Sequence, residues 1–128
     1  MKQEQTHDLN TLFYPKTVAF VGASPKVAGF MWGANGFIGG YVRFNYQGKI
    51  FPVRPTASSI MGFKTYKSIL DIPDELDLVI FAVPYTAVLP IMRDCVEKKV
   101  KFAHIFTAGF SETGLPENTE LENELLSI

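Results

Sequence analysis

Thr17-Val-Ala-Phe-Val-Gly-Ala-Ser24 is an apolar run that ends on glycine and two small residues. It has too little polar alternation for a half-exposed strand, so it reads as a central strand of a parallel sheet. The small-residue turn after it brings backbone N–H groups to one point. A helix opening there would add further donors and a partial positive charge. The turn is therefore a candidate cradle for a phosphate.

Outward from this strand, the rest of the chain supplies its partners. His7–Tyr14 can form a short helical turn, with Leu9, Leu12 and Phe13 on one side and Pro15 as its stop. Phe30–Tyr46 reads as a helix despite Gly33, Gly36, Gly39 and Gly40, because Gly33, Gly36 and Gly40 share one helical face that would allow close approach to a strand or another subunit. Lys49–Val53 is a second strand ending in Arg54-Pro55, and Thr56–Tyr66 is irregular with a turn at Gly62. Asp77-Leu-Val-Ile-Phe-Ala-Val83 is the clearest buried strand, ended by Pro84. Helix follows within Thr86–Lys98, where Val88, Ile91, Met92, Cys95 and Val96 make the apolar stripe. Lys101–Thr107 is another strand, Ala108–Gly114 a turn, and Pro116 opens a last helix with Leu121, Leu125 and Ile128 on its apolar side.

The order is βαβ(α)βαβα, an α/β chain with a Rossmann-like three-layer fold and a parallel sheet of at least four strands. Residues 1–14 read as an N-terminal extension and 15–128 as the domain. The last helix would ordinarily feed another strand, so the sequence predicts a sheet truncated at its C-terminus and a piece of a longer protein.

The 128 residues carry a net charge of −1, which argues against nucleic acid as the main partner. A single cysteine, Cys95, excludes an internal disulfide, and no apolar run approaches the roughly 18 residues of a membrane helix. The expectation is a cytoplasmic protein with no membrane partner. There is no Cys/His cluster for a metal and no nucleophile–base pair, so no residue is assigned a catalytic role. His104 lies between Ala103 and Ile105 in a strand that reads as buried, and is expected to be a core histidine. Cys95, on the apolar face of its helix, is expected to be an inert core thiol. Trp32 reads as packing or an interface, and the glutamates at 117, 120, 122 and 124 as a solvated helix face.

In an open α/β sheet, ligands bind beyond the carboxyl ends of the strands. Here those ends are Gly22-Ala-Ser24, Val53-Arg54-Pro55, Val83-Pro84-Tyr85 and Thr107-Ala-Gly109, all turns of small, polar or proline residues. The NAD fingerprint asks for glycine at the first, third and sixth turn positions and an acid after the second strand. Gly22 fits; Ser24, Val27 and Arg54 do not. An arginine at that place suits a phosphorylated ribose, leaving NADP with its 2′-phosphate or coenzyme A with its 3′-phosphate.

Phe13–Ser24, Gly48–Pro55, Asp77–Pro84 and Ala108-Gly-Phe-Ser-Glu-Thr-Gly114, taken in order, resemble the N-terminal CoA-binding domain of NDP-forming acyl-CoA synthetases. ADP-forming acetyl-CoA synthetase is such a relative, and the succinyl-CoA synthetase α-subunit a more distant one. The resemblance runs from about Phe13 to the end of the chain. It implies that Gly22, Ala23 and Ser24, with Pro25 and Lys26, cradle the CoA phosphates. Arg54 matches a CoA-contacting lysine of the succinyl-CoA relative, Val83 and Pro84 lie against the adenosine, and Phe106, Thr107 and Ala108 line the route of the pantetheine arm. It also implies that catalysis needs a phosphohistidine and a nucleotide-grasp domain supplied downstream or by another subunit. The glycine-rich 30–46 segment departs from the usual family helix. The alternatives are an NADP-binding domain of an oxidoreductase and a stand-alone CoA-responsive module. Aromatic residues near the Gly33–Gly40 face would suit a homo-oligomer contact.

Overall fold

The fold is known from a computed structural model, which describes residues 8–23, 34–56 and 59–128. Five residues of strand β1, Thr17–Val21, form its axis. Val18 lies opposite Ile50 of β2 (Lys49–Val53) on one side and Leu78 of β5 (Leu78–Phe81) on the other, both parallel. Strand β6 (Phe102–Ile105) adds parallel to β5, giving the order β2-β1-β5-β6. The four-stranded parallel sheet read from the sequence is therefore present.

Alternate residues of these strands serve opposite faces, as the two-residue period of a strand requires. Ala19, Val21, Phe51, Val53, Val79 and Phe81 point to helices α3 (Tyr85–Lys98) and α4 (Pro116–Leu126), where they meet Val88, Cys95 and Phe110. Val18, Phe20, Ile50, Leu78 and Ile80 point the other way, onto Ala34 and Ile38 of helix α2 (Ala34–Arg43). Both faces of β1 and β5 are covered, so neither strand has a polar side.

Several elements are shorter or differently placed than the sequence implied. Helix α1 is Leu9–Phe13, opened by the Asp8 side chain accepting from the Asn10 N–H at 2.9 Å. Within 30–46 the helix covers Ala34–Arg43; Trp32 and Gly33 lie outside the described residues. A Cβ at Gly40 would meet nothing within 4 Å, so the close-packed glycine face is not realised there. The stretch read as irregular holds a small antiparallel hairpin, β3 (Ser59–Ile60) with β4 (Phe63–Lys64), turning at Met61-Gly62. Tyr66 then bridges Val53 in parallel, its N–H donating to Pro52 O at 3.0 Å and its C=O accepting from Arg54 N at 2.8 Å. This explains a proline inside a strand: the Pro52 nitrogen faces away from β1, where no sheet bond is lost. In α3, Leu89 is buried and Val96 exposed, the reverse of what the stripe assigned.

His104 is the clear correction. It is exposed, because β6 has a sheet neighbour on one side only among the described residues, and its ring stands edge-on to Phe37 with centroids 5.7 Å apart. Cys95, in contrast, is buried as expected. Burial, with the nearby Asp94 charge adding to it, pushes its thiol up to about 12. Only the thiolate alkylates readily. Iodoacetamide at pH 8 is therefore expected to leave the native chain unlabelled over a period that fully labels the urea-unfolded chain; equal labelling of both would refute the burial.

Candidate functional site

The carboxyl ends of β1, β2 and β5 converge on one cleft of about 490 Å³. Val21, Gly22 and Ala23 line it from the first strand, Val53, Arg54 and Pro55 from the second, and Val83 from the third. Three of the four strand ends singled out in the sequence thus meet. Gly22 is the residue that lets them do so. It has φ +100°, and a Cβ there would run into the carbonyl of Ala82 and stand 3.2 Å from Val83 Cγ1. The Ala82 N–H in turn donates to Val21 O at 2.9 Å, so the ends of β1 and β5 lie backbone to backbone at this turn.

Arg54 crosses from the β2 end to the β1 end. Its Nη1 lies 3.4 Å from Ala23 O and its Nε 3.4 Å from Thr56 Oγ1, contacts at the long limit of hydrogen bonding that orient the guanidinium across the cleft mouth. The residue is partly buried, and an acid stands nowhere on that strand end. Ser24, Pro25 and Lys26 lie outside the described residues.

The fourth strand end is built differently. Thr107 Oγ1 donates to Val83 O at 2.8 Å, joining the ends of β5 and β6, but neither it nor Ala108 lines the 490 Å³ cleft. Phe106 is exposed and packs edge-on against Phe37, centroids 5.2 Å apart. Pro84 caps the N-terminus of α3 and also stays outside the cleft. The 108–114 loop closes on itself. The Glu112 carboxylate accepts from the N–H groups of Gly109 and Phe110, Glu122 accepts from Ser111 N at 2.8 Å, and Asn118 Nδ2 donates to Gly109 O at 2.8 Å. Those backbone donors, Gly109 first, hold the Glu112 carboxyl below its ordinary range. Two of the residues read as a solvated helix face and turn thus fix a loop. Gly109, at φ +116°, leaves room for Tyr85, whose Cδ1 would sit 2.6 Å from an added Cβ.

Sequence reasoning missed part of the cleft wall: Lys67, Ser68 and Ile69, and Ala87, Ile91 and Asp94 of α3. The second set was visible as an i, i+4, i+7 stripe. The first was not, because it depends on the Val53–Tyr66 bridge. Among the described residues no group of acidic, histidine or cysteine side chains could hold a metal, and no helix is long and apolar enough to cross a membrane. The cleft offers a glycine approach, a cation and apolar walls. That combination suits a phosphorylated nucleotide.

The sequence profile of the CoA binding domain family matches residues 16–125. The chain is 45% identical over 123 residues to acetate–CoA ligase [ADP-forming] II of Archaeoglobus fulgidus, covering 94% of this chain and 17% of that protein. It is 40% identical over 125 residues to acetate–CoA ligase [ADP-forming] of Methanocaldococcus jannaschii, covering 95% and 16%. Among solved structures, the apo form of the dinucleotide forming acetyl-coenzyme A synthetase 1 of Ca. Korarchaeum cryptofilum superposes with a TM-score of 0.83 at 38% identity, over 92% of this chain and 24% of that one. A conserved hypothetical protein of Pyrococcus furiosus matches with a TM-score of 0.67 at 25% identity, over 88% of this chain and 86% of that one. The chain spans about a sixth of the length of the two curated relatives.

Proposed function

The chain belongs to the family of CoA-binding domains, homologous to the N-terminal region of NDP-forming acyl-CoA synthetases, and from that premise we propose that it binds CoA in the cleft at the carboxyl ends of β1, β2 and β5. The observation that carries this reading is the meeting of Gly22 and Arg54 in one cleft. The glycine lets backbone approach a phosphate, and the guanidinium supplies charge for a phosphorylated ribose. Gly22 and Ala23, with Ser24, Pro25 and Lys26 beyond them in sequence, take the diphosphate. Val83 takes the adenosine, with Pro84 next to it just outside the cleft. Phe106, Thr107 and Ala108 flank the path of the pantetheine arm. In this reading the parent enzyme converts acyl-CoA, a nucleoside diphosphate and phosphate into the free acid, CoA and a nucleoside triphosphate. The domain contributes the CoA site and the downstream ligase and nucleotide-grasp parts contribute the chemistry. A cytoplasmic location agrees with this role.

Calorimetry of the chain with CoA, dephospho-CoA, NADP and NAD tests the proposal. CoA is expected to bind, and NADP and NAD to bind at least tenfold more weakly. Replacing Arg54 with methionine should weaken CoA about tenfold or more, the scale of one charge-assisted hydrogen bond of roughly 1.5–3 kcal/mol. No heat with CoA, or preferential binding of NADP, would sink the assignment. A second reading, a stand-alone CoA-responsive module, is supported by the match to the Pyrococcus furiosus protein, most of whose length this chain covers. The length of the natural gene product separates the two.

A further inference from the structure

Arg54 is the cation that the sequence places at the end of β2, but its guanidinium is partly turned onto the protein. Nη1 is directed at Ala23 O and Nε at Thr56 Oγ1. In that posture it ties the β1 turn to the β2 turn as much as it faces the cleft. A phosphate monoester carries about −1.5 to −2 charge near neutral pH and has three acceptor oxygens, more than one partly committed guanidinium matches.

A second cation lines the same cleft. Lys67 follows Tyr66, which is held beside the end of β2 by its backbone bonds to Pro52 and Arg54. The bridge therefore delivers Lys67 to the flank of Arg54, although the two stand thirteen positions apart in a stretch that contains a hairpin. Lys67 is exposed, and among the described residues the ion pairs are Lys49–Asp74, Arg93–Glu124 and Lys101–Asp77, none of which involves it. Asp94 of α3 is the carboxylate in the cleft wall. It gives the cleft a negative position as well as the two cations, which directs an anionic group toward the β2 side.

We propose that Lys67 is a specificity-determining residue: together with Arg54 it reads the ribose 3′-phosphate monoester, so the site prefers a nucleoside bisphosphate over the same nucleotide without that phosphate. This rests on the CoA reading above. Arg54 sets the shape of the site, and the Lys67 ammonium, with three rotatable donors on a flexible stem, closes on the phosphate when it arrives.

The test titrates the wild-type chain and Lys67→Gln with CoA and dephospho-CoA at low and moderate salt. Lys67→Gln should weaken CoA about tenfold, change dephospho-CoA less than twofold, and flatten the salt dependence of CoA binding. Lys67→Arg should stay within about threefold of wild type. The substitution lies on an exposed side chain, and thermal melting checks that the fold is retained. Wild type binding CoA with Lys67→Gln unchanged would overturn the Lys67 assignment alone, as would equal weakening of CoA and dephospho-CoA. A wild-type chain that fails to bind CoA would overturn the CoA reading, and this one with it.

Discussion

Gly22→Ala is expected to lower the stability of the domain by about 2–4 kcal/mol and to weaken CoA binding by well over tenfold. Two costs add. Alanine at φ +100° sits where L-residues rarely go, and its Cβ would occupy the space of the Ala82 carbonyl. That carbonyl belongs to backbone, and the N–H of the same residue is bonded to Val21 O. It cannot rotate aside as a side-chain tip would, so the ends of β1 and β5 must part. The cleft lies on those ends. Urea unfolding gives the first quantity and calorimetry with CoA the second; a variant with the wild-type midpoint and affinity would show that the turn is not constrained as described.

Asp77→Ala is expected to cost about 2–3 kcal/mol at pH 7, at the opposite end of the sheet. Asp77 is buried, and its carboxylate accepts from the Lys16 N–H at 2.8 Å and from Lys101 Nζ at 2.9 Å. The Thr17 hydroxyl accepts from Asp77 N and donates to Glu75 O, so β1, β5 and the start of β6 are joined through one polar cluster. Alanine would leave the Lys16 N–H without its acceptor. The Lys101 ammonium, half exposed, would return to water, which keeps the cost below that of breaking a fully buried pair.

Burial by itself would raise the Asp77 carboxyl pKa, but the bonds donated by Lys101 Nζ and by the Lys16 and Thr17 backbone N–H groups outweigh it and hold the pKa below the ordinary value. A carboxyl lowered in the folded state contributes stability above its unfolded pKa of about 4 and loses it as pH falls through the folded value. The wild type should therefore lose stability below about pH 4. Asp77→Asn, without the titrating charge, should be weaker at pH 7 and lose less between pH 5 and pH 3. Parallel pH curves for the two proteins would rule Asp77 out as a source of acid sensitivity.

Strand identity was legible because β1, β2 and β5 are short apolar runs with no alternation, bounded by turn residues, a pattern that fits a doubly covered parallel sheet. The first two strand ends and Val83 were legible for the same reason: once strand direction is known, the carboxyl ends follow. His104 misled because the same pattern cannot distinguish a central strand from an edge strand. Its neighbours Ala103 and Ile105 look the same in both, and only strand order decides. The hairpin at 59–64 and the Tyr66 bridge escaped notice because they are two-residue and one-residue pairings, too short to leave a period. Lys67 was lost with them. Glu112, Asn118 and Glu122 act through hydrogen bonds to loop backbone, which no spacing rule reports.

The position of β1 in the middle of the sheet also governs how the domain is made. Thr17 pairs with Lys49, and Val18 with Leu78; among the described residues the four-stranded sheet contains no pairing between strands adjacent through a tight turn. Each pairing closes a long loop before any contact offsets the entropy, so assembly is expected to be slower than that of a hairpin-built sheet. The three strand ends that form the cleft come from segments this far apart along the chain. An intermediate built from the N-terminal half would lack the Val83 side of the cleft, and CoA bound there as proposed would add a crosslink between strand ends that must be broken before the chain can unfold. Occupancy would therefore act as a kinetic lock, slowing unfolding rather than speeding folding.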